Sequence, residues 1–522
     1  MAKQINNLLN MLEALQNKNC FDHPVNEFKL IETHISYVLL TGPFAYKFKK
    51  SIALGFLDFS TLEKRKFYLD QEYRLNKRLA SDLYLGVVSI TGSESNPSLK
   101  KTGAPVIEYA LKMSQFRVED QLDKLLDENR LLPDHIDDLA KVIANFHTSL
   151  KPAGMDTDFG NIDQIRYPVM ENFDQIKPET GEHDLVNTLS DLKQWSSDQL
   201  LKMDKVFLQR KQQGFIRECH GDMHLSNMVL IDNKVTIFDC IEFNESFRWI
   251  DVFSDIAFVL MDLDFRKRND LSNRLLNDYL ENTGDYGGLE ILRFYCIYRS
   301  MVRAKVADIQ RKQTQDILFR KELTQKLYDH VSLAENYRQN KHPVFLCITH
   351  GFSGSGKTTC TKQLVNLINA IQIRSDVERK RLFDLNAQIR AQNKTEKGLY
   401  QEDITKKTYD QLARLSRLII KAGYPVVVDA TFLNKEKRDQ FKKLAKELSI
   451  PFHILNFTAS IKTLAQRIIK RNSIGEDASD ADLAILKHQL ENHDEFQPEE
   501  KQHILIINTE KTFNPARVIK RL

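Results

Sequence analysis

Residues 219–240 read CHGDMHLSNMVLIDNKVTIFDC, and this stretch indicates how the first half of the chain folds. Two short apolar runs, MVLI and KVTIF, lie on either side of Asp232 and Asn233, a favoured two-residue hairpin turn. Counting outward from the turn brings Asn227 and Asp239 to the same open end of the hairpin. The sequence therefore predicts a β-hairpin that places an amide and a carboxylate side by side.

Three polar side chains of this stretch form a pattern suited to phosphoryl transfer. Asn227 and Asp239 supply the oxygen ligands that Mg²⁺ prefers. Asp222 precedes the hairpin, where its carboxylate can accept the proton of an incoming hydroxyl group. His220, Asp222 and Asn227 have the HxDxxxxN spacing of a kinase catalytic loop, and Asp239 takes the place of the metal-binding Asp that follows it. We therefore predict Asp222 as the catalytic base and Asn227 and Asp239 as metal ligands.

The same stretch allows a different interpretation, a zinc site built from cysteine and histidine. Cys219, His220, His224 and Cys240 are ligand types that zinc uses. The two cysteines lack the paired CxxC spacing that is typical of structural zinc sites. The sequence favours magnesium-dependent phosphoryl transfer, with zinc as the alternative.

Residues from about 30 to 310 resemble an aminoglycoside-phosphotransferase-like member of the protein-kinase-like fold. The resemblance rests on the HGDxxxxN motif and extends to FRWIDVFSDIAF, where Asp251 and Asp255 resemble the aspartates that brace the catalytic loop in that family. In the family, the Asp and Asn of the motif are the base and one metal ligand, and a later Asp is the second metal ligand. The resemblance thus implies the same roles for these residues.

The resemblance also implies a phosphate-binding lysine in the strand AYKFKK. Lys47 is the candidate, with Glu72 in the helix DQEYRLNKRL as its ion-pair partner. Lys49 and Lys50 are the alternatives. The preceding segment ETHISYVLLTG departs from the kinase pattern because it has no GxGxxG loop.

A second motif, GFSGSGKTT at residues 351–359, matches GxxxxGK[ST] between an apolar strand and the predicted helix TTCTKQLVNLINA. In a P-loop the backbone amides at a helix N-terminus surround phosphate oxygens. We expect Lys357 to reach the β- and γ-phosphates and Thr358 to bind Mg²⁺. The predicted ATP-binding residues of this motif are Gly351, Ser353, Gly354, Ser355, Gly356, Lys357, Thr358 and Thr359.

Four further residues are predicted to serve this second site. Asp429 closes the strand VVVDA, where a Walker B carboxylate holds the metal through water. Asp376 ends the second strand, at the sheet edge where small P-loop kinases bind the acceptor. Arg467 and Arg471 lie four residues apart on one helix face and could reach a transferring phosphate together, although a solvated basic face is the alternative. We predict catalytic roles for Lys357, Asp376 and both arginines.

Residues from about 343 to 522 resemble the small P-loop kinases of metabolites, antibiotics and polynucleotide ends. RSD and DATFLN carry this likeness, and NSIGEDASDADLAIL resembles a lid. The resemblance implies that Asp376 orients or deprotonates the acceptor and that Arg379 helps to bind it.

The order of strands and helices divides the chain into two domains. An early pair of strand-like segments around the helix LEKRKFYLDQEYRLNKRLA, followed by mostly helical sequence, predicts an α+β protein-kinase-like domain. Five later apolar runs alternate with helices, which predicts an α/β P-loop NTPase domain with a parallel sheet. A charged helical stretch ends at Pro343 between them. We predict domains at residues 1–335 and 342–522.

Composition limits the function classes. A chain of 522 residues is too long for one hydrophobic core. The formal charge of +4 gives little electrostatic reason to expect nucleic acid or membrane as a partner. The N-terminal MAKQINNLLNMLEALQ predicts an amphipathic helix and not a signal peptide, and no window is apolar enough to span a bilayer. Six scattered cysteines do not suggest a disulfide framework, so we expect a cytoplasmic protein.

These patterns predict ATP- and Mg²⁺-dependent phosphotransfer at two sites, each to a hydroxyl group of a small-molecule acceptor. One alternative makes the N-terminal domain a regulatory ligand-binding module that controls a C-terminal P-loop ATPase; the intact Asp222, Asn227 and Asp239 argue against it. Another makes the C-terminal domain a polynucleotide 5′-hydroxyl kinase. That activity favours a basic groove with interleaved aromatic residues, and the sequence shows no such stripe.

Overall fold

The computed structural model describes residues 2–54, 57–100, 103–340, 343–382, 402–474 and 482–522. The helices in these ranges are α1 Ala2–Leu15, α2 Leu62–Asn76, α3 Leu122–Asp127, α4 Pro133–Ser149, α5 Ile162–Gln175, α6 His183–Lys202, α7 Asp204–Gln212, α8 Val252–Phe265, α9 Asn269–Thr283, α10 Leu289–Gln313, α11 Ile317–Gln339, α12 Lys357–Ile368, α13 Ser375–Leu382, α14 Glu402–Lys421, α15 Lys435–Glu447, α16 Ile461–Ile474, α17 Leu483–Glu491 and α18 Pro515–Ile519. The strands are β1 Lys29–Glu32, β2 Ser36–Leu40, β3 Phe44–Lys49, β4 Ala53–Leu54, β5 Leu57–Asp58, β6 Tyr84–Ser93, β7 Asn96–Ser98, β8 Val106–Ser114, β9 Ile216–Glu218, β10 Met228–Ile231, β11 Lys234–Ile237, β12 Trp249–Asp251, β13 Leu346–His350, β14 Ile371–Arg374, β15 Val426–Asp429, β16 Phe452–Thr458 and β17 Ile504–Asn508.

The N-terminal sheet is antiparallel, with strand order β1-β2-β3-β8-β6-β7. Tyr37 and Leu39 of β2 and Tyr46 and Phe48 of β3 are buried in a core that also contains the apolar side of α1. Burial of this apolar area is the main stabilising term for the sheet. Strand β3 lies between β2 and β8, so the strand that carries Lys47 is held from both sides.

The predicted strand–helix–strand order is found, but the sheet also contains β1, β6 and β7, which were not predicted. The run at residues 35–50 forms two strands, β2 and β3, because Gly42 has a φ of 97° and turns the chain back. Helix α2 begins after Thr61, whose hydroxyl caps it by accepting from the Lys64 amide at 3.3 Å. Helices α3 to α11 follow β8, as the sequence predicts for the chain beyond Glu119.

The C-terminal sheet is parallel, with strand order β14-β15-β13-β16-β17. Strand β13 is central and buried along its whole length, which explains its continuous apolar sequence. This arrangement confirms the predicted α/β fold with a parallel sheet. Strand β14 forms one edge, and the P-loop leaves the carboxyl end of β13.

Contacts group the chain into two compact units. The first consists of Met1–Asp262 and Tyr298–Val331, and the second of Leu263–Ile297 and Ser332–Leu522. The predicted boundary near residue 340 assigned Leu263–Ile297 to the first domain, whereas by contacts this segment belongs to the second unit. Whether the chain can be divided near residue 340 stays a prediction.

None of the helices in the described ranges combines the length and the hydropathy that a membrane span requires. The six cysteines are all buried, and no disulfide joins them.

Candidate active sites

The predicted hairpin is present at the centre of the first candidate site. Strands β10 and β11 are antiparallel, and the turn residues Asp232 and Asn233 have φ values of 49° and 59°. Beyond the strands the Phe238 amide donates to the Asn227 carbonyl at 2.9 Å. Asn227 and Asp239 therefore lie at the same open end of the hairpin, as the sequence predicts.

The loop before the hairpin is braced by buried carboxylates of α8. Asp255 accepts from the backbone amides of His220 and Gly221, both at 2.9 Å. Asp262 accepts from the Leu225 amide at 2.9 Å. Sequence reasoning missed Asp262, although its position seven residues after Asp255 places both on one face of a helix.

Asp251, the other aspartate that the resemblance assigned to this brace, has a different partner. Its carboxylate accepts from Arg210 at 2.6 and 2.9 Å, and both side chains are buried. Asp255 and Asp262 therefore hold the loop, while Asp251 ties α7 to the start of α8.

Gly221 is needed in this loop for its backbone conformation. Its φ is 86°, and a Cβ at this position would lie 2.6 Å from the Phe247 carbonyl oxygen. The glycine of HGD is thus sterically required, since any larger residue at this position would displace the loop that carries Asp222.

Asp222 lies at the surface of the site with about one third of its side chain exposed. The Asn227 amide group donates to the Asp222 carbonyl at 3.0 Å and to its carboxylate at 3.1 Å. Burial alone would raise the pKa of Asp222, but the charges of His224 and Arg303 hold that pKa below its usual value. The carboxylate therefore stays ionised, and Oδ1 of Asn227 is left to bind a cation.

Lys47 joins two of the predicted residues. Its Nζ lies 2.6 Å from Glu72 and 2.5 Å from Asp239. Burial opposes the charged form, yet the carboxylates of Asp239 and Glu72 hold the pKa of Lys47 well above its usual value. Burial likewise opposes ionisation of Glu72, but Lys47 and Lys49 lower its pKa to about 2. The group is thus a set of ionised side chains held by mutual attraction.

The two alternative lysines occupy different surroundings. Lys49 is fully buried and is paired with Glu72 at 2.5 Å and with the buried Glu242. Lys50 pairs at 2.6 Å with the exposed Glu32. Of these three lysines, all within the described residues, Lys47 alone forms an ion pair with Asp239, which supports the prediction made from the sequence. Glu242 was not predicted, and no sequence signal identifies it.

The four ligands of the alternative zinc site are not brought together. His220 Nε2 contacts the Phe238 carbonyl at 2.9 Å, and the Cys240 thiol contacts the Cys219 carbonyl at 3.6 Å. Burial raises the pKa of Cys240 to about 12 and that of Cys219 well above its usual value. Both cysteines are therefore neutral thiols, whereas zinc binds thiolates.

Cys219 does belong to one group of possible metal ligands in the described part of the chain. Its partners there are His147 and Asp255, with ligand atoms within 4.8 Å of one another. Both oxygens of Asp255 already accept backbone hydrogen bonds from the catalytic loop, so the group acts as a brace.

The second candidate site is the P-loop between β13 and α12. Gly351 and Gly354 have φ values of 143° and 79°, and a Cβ on either would lie within 2.7 Å of a backbone oxygen. Gly356 caps α12, which begins at Lys357. The Lys357 ammonium donates to the carbonyls of Gly351 at 2.8 Å and Phe352 at 3.0 Å, so it lies across the loop.

The remaining residues of the motif follow this loop geometry. The Ser353 amide donates to the Gln489 side chain at 2.9 Å. The Ser355 hydroxyl is buried beneath Gly351, and Thr358 and Thr359 lie in the first turn of α12. The strand–loop–helix context predicted for the motif is therefore found.

Asp429 ends β15, the neighbour of β13, and is buried. The Gln372 side chain donates to its carboxylate at 3.1 Å. Burial raises the pKa of Asp429 despite the nearby charges of Arg374 and Lys357 and the hydroxyl of Thr358, which lower it. The two predicted metal ligands of this site, Thr358 and Asp429, thus lie close together.

The structure describes only part of the predicted acceptor and lid residues. Asp376 lies in the first turn of α13 and accepts from Arg379 at 2.7 Å. Arg467 donates to Thr509 at 2.7 and 2.8 Å and to the Gly354 carbonyl at 3.4 Å, so it contacts the P-loop backbone. The Arg471 side chain and residues 475–481 of the predicted lid lie outside the described residues.

The first site has the arrangement of a kinase-type phosphotransferase, and the second has that of a P-loop nucleotide-binding domain. Residues 68–295 match the model of the phosphotransferase enzyme family, and residues 346–496 match that of the AAA domain. The chain is therefore a phosphotransferase that combines a kinase-like N-terminal domain with a P-loop kinase-like C-terminal domain.

Relatives are similar to this chain over most of their length. Uncharacterized proteins of Mycobacterium tuberculosis and Mycobacterium bovis are 27% identical to this chain over 463 residues, which is 88% of this chain and 90% of each relative. Among solved structures, choline kinase from Cryptosporidium parvum covers 64% of this chain and 96% of its own, with 11% identity and a TM-score of 0.38. A gluconokinase from Sinorhizobium meliloti covers 34% of this chain and 90% of its own, with 16% identity and a TM-score of 0.25.

Proposed function

We propose that the chain is an ATP- and Mg²⁺-dependent phosphotransferase with two nucleotide sites, each of which transfers a γ-phosphate to a hydroxyl group of a small-molecule acceptor. The observation that carries the proposal is the position of Lys47 between Glu72 and Asp239, 2.6 and 2.5 Å away. Kinases bind the phosphates of ATP with a lysine that is held in this way. The proximity of Thr358 and Asp429 supports the second site.

At the first site the protein would act mainly by positioning. Asn227 and Asp239 would hold Mg²⁺, which neutralises phosphate charge when bound. Asp222 would orient the acceptor hydroxyl and receive its proton as the oxygen attacks the γ-phosphate. Its lowered pKa keeps it ionised and ready to accept a hydrogen bond from the hydroxyl. Orientation of the two reactants supplies most of the acceleration expected here.

At the second site the charge of Lys357 would act on the β- and γ-phosphates, after moving from the loop carbonyls that it contacts. Thr358 and Asp429 fit a magnesium site because they bring a hydroxyl and a carboxylate close together. Asp376, steadied by Arg379, would orient the acceptor. Arg467 and Arg471 would approach the transferring phosphate from α16.

The charges beside Asp222 bear on the acceptor of the first site. His224 Nε2 lies 3.4 Å from the Asp222 carboxylate, and the charge of Arg303 acts on the same group. Arg303 makes no hydrogen bond or ion pair within the described ranges. The positive charge of Arg303 suits the phosphoryl group that the acceptor receives beside Asp222.

The test is transfer of labelled γ-phosphate from ATP into a metabolite extract by the full-length protein. Asp222→Asn and Lys357→Ala should each remove a different set of labelled products, and the double variant should remove both. Asp232→Asn is the matched control for the first substitution, because Asp232 is an exposed turn residue at which Asn is equally favoured. The exposed Lys446→Ala is the control for the second.

The outcomes separate the alternatives. If the double variant labels the same products as the wild type, the proposed sites are wrong. If Asp222→Asn has no effect while Lys357→Ala removes all transfer, the regulatory function of the N-terminal domain is favoured. Label on 5′-hydroxyl ends of added oligonucleotides that depends on Lys357 would instead indicate a polynucleotide kinase.

A further inference from the structure

Helix α9 completes the open edge of the P-loop sheet. Strand β14 is the edge strand, so one side of its backbone lacks a neighbouring strand. The Asn277 side chain donates to the Ala370 carbonyl at 3.0 Å and accepts from the Gln372 amide at 2.7 Å. One side-chain amide thus makes two hydrogen bonds that the backbone of an added strand would otherwise make. Leu263–Ile297 is therefore an integral part of the second unit.

The next turn of α9 binds Arg374, which follows Gln372 by two residues in β14. Glu281, four residues after Asn277, accepts from the Arg374 guanidinium at 2.9 Å. Arg374 is 16% exposed and Glu281 33% exposed, so the pair is only partly screened by water. The Glu281 carbonyl also accepts from Arg381 of α13 at 2.5 Å. Helix α9 therefore fixes both β14 and the helix that follows it.

The two residues of β14 that α9 holds are the ones that act on Asp429. The Gln372 side chain donates to the Asp429 carboxylate at 3.1 Å. Arg374 is the direct neighbour of Asp429 in the register of β14 and β15, and its positive charge acts on the carboxylate. Hydrogen bonds thus lead from Asn277 through Gln372 to the carboxylate that would help to hold Mg²⁺, and Glu281 binds the arginine whose charge acts on that carboxylate.

We propose that Asn277 and Glu281 are positioning residues of the P-loop site, and that turnover there requires helix α9. The proposal rests on the second nucleotide site proposed above. Glu281 binds the Arg374 guanidinium at 2.9 Å, while the charge of Arg374 acts on the neighbouring Asp429. Without that carboxylate, the charge of Arg374, which already acts on Asp429, is no longer balanced by Glu281 and competes more strongly with Mg²⁺ for the Asp429 carboxylate.

This competition has a specific signature. Glu281→Gln should raise the Mg²⁺ concentration required for half-maximal Lys357-dependent turnover by about tenfold, the effect of one charged hydrogen bond. The maximal rate at saturating Mg²⁺ should change much less. A helix that only packed against the sheet would change stability and leave the Mg²⁺ requirement unaltered.

The experiment uses the full-length protein with Asp222→Asn, so that only the second site turns over ATP. Mg²⁺ titrations are compared for Glu281→Gln, for Glu290→Gln and for Glu281→Gln combined with Arg374→Met. Glu290→Gln is the matched control, because it removes the same charge from an exposed position at the start of α10. The expected result is a raised Mg²⁺ requirement in Glu281→Gln alone, and its return toward the wild-type value when Arg374 is also removed.

Two results would overturn the inference. One is an equal Mg²⁺ requirement in Glu281→Gln and Glu290→Gln, even if the first variant melts at a lower temperature. The other is a raised requirement that persists after Arg374→Met. Failure of the proposed function has a different signature, since the parent protein would then show no nucleotide binding or turnover that Lys357→Ala abolishes.

Discussion

Lys47 and Lys49 lie two residues apart on one strand and share Glu72 as a partner. Replacing Lys47 should lower turnover with little loss of stability, and replacing Lys49 should lower stability with little loss of turnover. Lys47→Met leaves Glu72 paired with Lys49 and leaves Asp239 with 42% of its side chain exposed to water. The expected cost in unfolding free energy is therefore small, about 1 kcal/mol. Loss of the phosphate-binding charge should lower Asp222-dependent turnover by about 100- to 1,000-fold.

Lys49→Met should have the reverse effect. It removes the ion-pair partner of Glu242, whose side chain is only 4% exposed. Breaking a buried pair from one side costs about 3 to 5 kcal/mol, because the remaining charge has no water to solvate it. Turnover per folded molecule should fall far less than in Lys47→Met, since Lys47 still pairs with Asp239.

The assay combines urea unfolding with phosphate transfer. Both tryptophans, Trp195 and Trp249, lie in the first unit, so their fluorescence reports on the unfolding of that unit. Lys50→Met is the control, because its partner Glu32 is 64% exposed and little change is expected in either measurement. The reasoning is refuted if Lys47→Met retains full turnover, or if Lys47→Met and Lys49→Met lower the unfolding free energy equally.

Three further predictions concern single positions. Gly221→Ala should reduce Asp222-dependent turnover about a hundredfold, because the added methyl group pushes the loop away from the Phe247 carbonyl. Gly103→Ala is the control: Gly103 has a similar φ of 84° but open space around it, so turnover should be unchanged in the same assay. Burial raises the pKa of Asp264 to about 6, so the folded state binds the proton more tightly than the unfolded state does. The resulting stabilisation is fully present below the ordinary pKa of an aspartate and is lost as the pH rises through about 6. Asp264→Asn should therefore remove a loss of about 1 kcal/mol that the wild type shows between pH 5 and pH 7 in urea unfolding. The unfolding is followed by far-UV circular dichroism, because Asp264 lies in the second unit and both tryptophans lie in the first. An identical pH dependence in both proteins would contradict this. Tyr337→Phe, which removes the hydroxyl that donates to Asp264 at 2.5 Å, should raise that pKa further and move the loss of stability to higher pH, as measured by the same unfolding series.

The features that could be predicted from the sequence depend on local patterns. The hairpin between Asn227 and Asp239 follows from a turn dipeptide between two apolar runs, and the P-loop follows from a fixed spacing of glycines. The pairing of Lys47 with Glu72 was reached through resemblance to a family. In these cases the residues that specify the feature are close in sequence or belong to a known motif.

The features that could not be predicted join residues far apart in the chain. Glu242 is 193 residues from Lys49, and Asn277 is 95 residues from Gln372, and neither pair has a spacing or composition that marks it. Helix α9 reads as an ordinary amphipathic helix, because the polar residues that bind the sheet edge look like solvent-exposed ones. Asp262 is different, since its helical spacing from Asp255 was a signal that could have been used.

The grouping of Leu263–Ile297 with the P-loop sheet affects the order in which the protein can assemble during synthesis. At roughly 5–20 residues per second, α9 leaves the ribosome several seconds before Ile371–Arg374 of the edge strand follows. During this interval the groups that will bind the strand, the amide of Asn277 and the carboxylate of Glu281, are hydrated at little cost. An apolar face would instead attract other chains. When the edge strand emerges, helix α9 is already present to bind its unpaired backbone groups. The forming sheet therefore does not expose this backbone edge to other nascent chains.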